Sequence, residues 1–236
     1  MMPALQLESP EALPAEFIQR LARHEALFQQ CATLDGVLEE RGVRQIAADL
    51  DEFLRQQWIH GYHCTKEPWP GFFAGRGLRV TDVAAHQEEF LAGFGDRFSP
   101  EEVAAMRAAW NGYFVAGRQA RIRDGLVWAC LTRSLVLTGG TEPFFELFGG
   151  EAISMPLKDH PTIEPKLREL GTAVVVEVAL PGSELKANYD MSRPVLSRYH
   201  AGIRPGAHID ESEGRMRCAV PPEGIIRVTP LSDFRL

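Results

Sequence analysis

Cysteine is sparse in this sequence, and no two cysteines lie close together. Cys31, Cys64, Cys130 and Cys218 are scattered singly through 236 residues, without a C-x-x-C pair. That spacing excludes zinc-ribbon and thioredoxin-like chemistry. Four cysteines are too few for a disulfide scaffold, so reduced thiols in a cytoplasm are the expectation. Long hydrophobic runs are missing too, since none approaches the roughly 18 apolar residues of a membrane span. The opening stretch MMPALQLESPEALPAEF has neither the basic nor the apolar region of a secretory signal. Cytoplasmic localisation and no membrane partner follow as expectations. Positive charge is short as well: 25 Lys and Arg against 32 Asp and Glu leave a net charge of −7. Proteins that grip nucleic-acid backbones by counterion release show the opposite balance, so nucleic acid is not the expected partner.

Familiar catalytic signatures are absent in turn. The glycine patches Gly71 to Gly77 and Gly139-Gly140 match neither the phosphate-loop nor the dinucleotide pattern, and read as turns. His208-Ile209-Asp210 has the H-x-D half of a facial iron triad, but no histidine follows it. The deaminase pattern lacks its C-x-x-C half, and there is no G-x-S-x-G elbow. No metal is expected. Cys64 adjoins His63, but neighbours in an extended segment point to opposite faces. His63 is therefore poorly placed to activate a Cys64 thiolate, and Cys64 reads as a small packed residue.

What is present is an ordinary globular composition, 45% apolar and 24% charged. A chain of this size buries about 70% of its unfolded surface without needing staples. Residues 1–58 read as helical. Pro14 suits a first helical turn, and Phe17, Leu21, His24 and Phe28, then Leu34, Val37, Leu38, Ile46, Leu50 and Leu54, recur every three to four residues. Gly42 is expected to separate two helices. Strands are expected at 59–65, 126–132, 173–180, 216–220 and 225–228, where apolar and β-branched runs stand between turn signals. Residues 82–119 read as helical, with Ser99 as cap and Pro100 at the first helical position. Pro143–Phe148 is expected to be a short helix with a buried phenylalanine face. Arg118, Arg121 and Arg123 form a basic run of the kind that normally lies on a solvated helix face. No repeat, low-complexity tract or Gly/Ser linker interrupts the chain. The expected fold is α+β with a mixed or antiparallel core over 59–236 and an N-terminal helical region over 1–58 packed on it.

The segment Gly61-Tyr62-His63-Cys64-Thr65, followed by Gly75-Arg76-Gly77-Leu78, resembles the first motif of NAD-dependent ADP-ribosyltransferases of the diphtheria-toxin and poly(ADP-ribose) polymerase type. In that family a strand with Tyr-His-x-Thr or His-Gly-Thr leads into a helix and Gly-Leu. Gly125-Leu126-Val127-Trp128-Ala129-Cys130-Leu131-Thr132 resembles the family's next strand, with Trp128 where an aromatic is expected. The stretch from Glu213 to Ile226 is similar to its last landmark, a glutamate opening a strand. The resemblance covers about a quarter of the chain. It implies NAD as substrate, with His63 positioning a ribose hydroxyl and Glu213 as the catalytic carboxylate. Glu211 competes for that role. Tyr62, Cys64, Thr65 and Trp128 would hold the nicotinamide. The tyrosine that stacks on nicotinamide in the family is replaced here by Trp128.

The chemistry has its own logic. Cleaving the nicotinamide–ribose bond passes through an oxocarbenium-like transition state, as in glycoside hydrolysis. A carboxylate near the ribose opposes the developing charge, an aromatic wall receives the planar amide, and no metal is needed. Transfer to a macromolecular acceptor and hydrolysis of NAD both fit. The alternative is a non-catalytic module of the same fold that binds a nucleotide or a protein.

Overall fold

A computed structural model describes residues 4–138 and 140–235. Gly139 of the second glycine patch and the first three residues of the opening stretch lie outside the described residues. Six strands form one sheet: β1 (Trp58–Glu67), β2 (Val127–Cys130), β3 (Thr172–Pro181), β4 (Lys186–Ala187), β5 (Glu213–Met216) and β6 (Ile225–Pro230). Their order is β4-β5-β2-β1-β3-β6. The architecture is α+β, with one antiparallel sheet and an N-terminal helical region. β1 and β2 are antiparallel with Tyr62 opposite Cys130, and β4 and β5 are antiparallel with Lys186 opposite Arg215 and Ala187 opposite Gly214.

Four of the five expected strands form. The fifth is displaced: β5 runs from Glu213 to Met216, so the expected 216–220 segment shares only Met216 with it. Cross-strand pairing with Lys186-Ala187 fixes β5 upstream of the apolar run. Val220 makes an isolated antiparallel bridge with Leu78 instead.

The chain divides into two compact units, each assembled from separated segments. The first comprises Met1–Tyr62, Trp128–Val136 and Val178–Met216. In it, Ala15–Ala22 buries Phe17 and Leu21, with Pro14 at the cap. The helix Arg41–Arg55 buries Val43, Ile46, Leu50 and Leu54 along one face. Gly42 lies inside the first turn of that helix and does not divide two helices. The cause is Glu40, whose Oε2 accepts the Val43 N–H at 2.8 Å and starts the helix before the glycine. Ser192–Ile203 forms a helix although it contains Pro194, which falls in the first turn where no N–H is needed. Its His200 is fully buried, with Nε2 2.9 Å from the Phe28 carbonyl and 3.1 Å from that of Cys31. Ahead of the helices, Leu5 bridges Ile59 in parallel: its N–H donates to Trp58 O and its carbonyl accepts from His60 N–H, both at 2.8 Å.

The second unit comprises His63–Val127, Leu137–Glu177 and Arg217–Leu236. Ser99 closes a capping box with Glu102 ahead of the helix Pro100–Trp110. Its core gathers Phe90, Phe98, Met106, Trp110, Phe148, Ile153, Leu157 and Ile163. Phe145 and Phe148 are buried, as the phenylalanine-rich segment implied. Arg123 departs from the solvated basic face: it is half-buried and forked onto Glu151, Nε to Oε2 at 2.6 Å and Nη2 to Oε1 at 3.1 Å. Gly77 has a specific reason to be glycine. Its φ is +70°, and a Cβ there would stand 2.0 Å from Val220 O. The residue ends the helix Phe72–Arg76, and Leu78 then exchanges two 2.8 Å hydrogen bonds with Val220.

Candidate functional site

The residues expected from the sequence fall in both units. Tyr62, Trp128, Glu211 and Glu213 belong to the first, and His63, Cys64 and Thr65 to the second. In the first unit, directly opposed residues of an antiparallel pair project to one face, so Tyr62 shares a face with Cys130. Trp128, two residues before Cys130, shares it too. Tyr62 is buried beneath a stacked His60 ring, centroids 4.9 Å apart. Trp128 is half-buried and carries the Arg215 guanidinium 4.9 Å from its ring centroid. That contact puts Arg215 on the same face, and strand alternation adds Glu213. Glu213 is exposed; its Oε1 accepts from Asn188 Nδ2, and its backbone carbonyl from Asn188 N–H at 3.0 Å. An aromatic pair, a guanidinium and an exposed carboxylate therefore occupy one face across adjacent strands.

In the second unit, His63 and Thr65 are half-buried and alternate with the buried Cys64 along β1. The Gly77-Leu78 turn of the first motif is tied to Val220, which belongs to the last segment of the resemblance.

Glu211, the competing carboxylate, is placed differently from Glu213. It lines a polar cavity of about 590 Å³ with Asp35, Tyr189, Arg193, His208 and Asp210. Arg193 anchors that cavity. Its Nε lies 2.8 Å from Asp210 Oδ2, its Nη2 lies 2.8 Å from Asp35 Oδ1, and its guanidinium stands over the Tyr189 ring at 5.8 Å. His208 Nε2 reaches Asp210 Oδ1 at 3.5 Å. The H-x-D pair thus serves an arginine-centred network. Among the described residues, no three His, Cys, Asp or Glu side chains gather as a metal site would require. Sequence reasoning missed Arg193 and Tyr189, since neither sits in a recognisable motif. It also missed Arg215, whose only local signal is its alternation with Glu213.

Comparison with protein-family models, with curated proteins and with solved structures found no match for the chain. No helix among the described residues is long and apolar enough to cross a membrane.

Proposed function

We propose that the protein cleaves the nicotinamide–ribose bond of NAD, transferring ADP-ribose to a macromolecular acceptor or to water. The observation that carries the reading is the strand order. The three segments that resemble the ADP-ribosyltransferase landmarks are β5, β2 and β1, neighbours in that order within one sheet. Trp128, half-buried, supplies a flat surface for a planar amide, while Tyr62 on the same face is buried beneath His60 and backs the site from within. Glu213, exposed on that face, opposes the positive charge that develops on the ribose. The resemblance implies a sugar-hydroxyl role for His63, but as the neighbour of Tyr62 in β1 it projects to the opposite face of the strand, so that role rests on the resemblance alone. Cys64 and Thr65 contribute backbone and side chain to hold the nicotinamide.

Glu213→Gln keeps NAD affinity within a few-fold and loses turnover. A neutral amide still hydrogen-bonds the ground state but does not oppose charge that exists only at the transition state. The expected loss is about 10²–10³ in rate, or roughly 3–4 kcal/mol. His63→Ala tests the role the resemblance implies: weakened binding with turnover kept supports it, and unchanged affinity removes His63 from the site. Calorimetric affinity and nicotinamide release separate the two roles. Release at the parental rate by Glu213→Gln removes that residue from catalysis and turns the test to Glu211.

One observation favours the non-catalytic alternative. Arg215 already covers the Trp128 ring at 4.9 Å, the surface an incoming nicotinamide needs. A parental protein that binds a nucleotide or a protein partner but releases no nicotinamide belongs to that class.

A further inference from the structure

In the first unit a backbone N–H and a guanidinium meet at a position now held by a carboxylate of the chain itself. Glu8 Oε1 accepts the backbone N–H of Arg133, and its Oε2 lies 3.7 Å from Arg198 Nη2. The second distance is an ion pair too long for a hydrogen bond. Arg198 Nε is buried and has no hydrogen-bond partner among the described residues; the hydroxyls of Ser134 and Ser212 are in the same condition. Ser212 is 2% exposed. Its backbone N–H donates to Thr132 Oγ1 at 3.4 Å, and its carbonyl accepts from Leu131 N–H at 2.7 Å. Asp210 N–H donates to Ser197 Oγ at 2.9 Å. Segment 210–212 is thereby held against both the end of β2 and the helix that bears Arg198. Glu8 links the same two elements from the other strand of contacts.

Each buried donor left without a partner costs about 1–3 kcal/mol, and proteins retain such groups where a ligand completes them. A guanidinium and a backbone N–H can only donate, which is the chemistry of an oxyanion site, and Ser134 follows Arg133 in the chain while Ser212 is tied by its backbone to Thr132. Glu8 satisfies it poorly: one oxygen is well bonded and the other is loose. Among the described residues, the segment carrying Glu8 is held by the two Leu5 hydrogen bonds to β1 and by the buried Leu7 side chain.

We infer that Arg198, Ser134, Ser212 and the Arg133 N–H form a binding site for a small oxyanion, a phosphate or a carboxylate, and that residues 4–9 are a displaceable strap whose Glu8 occupies it. The site stands apart from the NAD reading and does not depend on it. An internal competitor lowers apparent affinity by the fraction of time the site is open, so removing it raises affinity in proportion.

The test is calorimetric titration of the full chain with inorganic phosphate and, separately, with acetate. Glu8→Ala binds one of the two at least about tenfold more tightly than the parent, and the tighter anion names the ligand class. Adding Arg198→Gln to Glu8→Ala abolishes the gain. A Glu8→Ala protein that binds neither anion more tightly overturns the proposal, as does a gain that survives Arg198→Gln. Hydrogen exchange on the parent chain gives a second readout that needs no variant. Saturating anion speeds exchange of the Leu5 and His60 amides, and unchanged protection of both overturns the strap.

Discussion

In the unit built from His63–Val127, Leu137–Glu177 and Arg217–Leu236, buried polar groups are matched. Lys66, 7% exposed, extends Nζ to the carbonyls of Arg168 and Glu146 at 2.5 and 3.4 Å. Trp110 Nε1 donates to Ile153 O at 2.9 Å, Ser154 Oγ donates to Gly150 O at 2.7 Å, and Arg227 grips the buried Glu177. In the other unit, Ser134, Arg198, His200 and Ser212 each keep a buried atom with no hydrogen-bond partner among the described residues. Unmatched donors and acceptors carry a desolvation cost that local structure does not return. One unit spends its polar groups on stability, and the other holds some of them open. Ser134 and Ser212 of the open set adjoin the strands that carry Trp128 and Glu213, and Arg198 and His200 lie on the helix Ser192–Ile203; a binding protein is expected to break its own packing rules at such places.

Substitutions at matched and open positions test this contrast directly. The largest effect is expected at Trp110, 3% exposed in the aromatic core. Trp110→Ala leaves a cavity and orphans the Ile153 carbonyl, lowering stability by about 3–5 kcal/mol in denaturant unfolding. Lys66→Met removes a donor that serves two chain segments and costs about 1–3 kcal/mol. Burial, aided by the nearby Arg168 charge, holds the Lys66 pKa below its usual 10.5. Between the depressed value and 10.5 the unfolded chain binds more protons, so this group's contribution to stability rises with pH. The parent should therefore gain stability relative to Lys66→Met as pH increases through that window. A flat difference would break the assignment.

A matched pair of small substitutions sharpens the contrast further. Ser154→Ala loses a satisfied hydrogen bond and costs about 1 kcal/mol, whereas Ser212→Ala deletes an unsatisfied hydroxyl and is neutral or slightly stabilising. Equal losses at both serines would erase the distinction between the units. The smallest effect is present at neutral pH and vanishes in acid. Glu102 is held at a pKa of about 2 by Lys166, 2.6 Å away, and by the Ser99 N–H. Its contribution is complete above the ordinary carboxylate value of 4.5 and fades as pH falls toward 2. Glu102→Gln should lose this contribution at neutral pH and converge on the parent as pH falls toward 2, so the difference between the two profiles closes in that interval.

The strands at 59–65, 126–132, 173–180 and 225–228 were legible because each is an apolar run bounded by turn residues. β5 was not: Glu-Gly-Arg-Met carries no strand pattern, and its partner β4 is only Lys186-Ala187. A register set by a distant two-residue strand leaves no local trace. The helix Ser192–Ile203 was hidden by Pro194 and by polar residues such as Ser197 and His200, which are buried here against long-range partners. Ser99 and Pro100 were readable because caps act over four residues. At the candidate site, Tyr62 and Trp128 were named from their motifs, and the register that puts them on one face came from pairing. Arg215, Arg193 and Arg198 matter through what they touch, and no spacing rule announces that.

The interleaved course of the chain also has a consequence during synthesis. The helix Arg41–Arg55 buries Val43, Ile46, Leu50 and Leu54, and it packs against Ser192–Ile203. Between Tyr62 and Val178 the ribosome must add 116 residues (178 − 62), at roughly 5–20 per second, before the last segment of that unit begins to emerge. For on the order of ten seconds the apolar stripe of a nascent amphipathic helix waits without one of the helices that cover it. The unit whose synthesis starts first thus waits for a segment that begins only at Val178, and its early helices are natural clients for chaperones that bind exposed apolar segments on the ribosome.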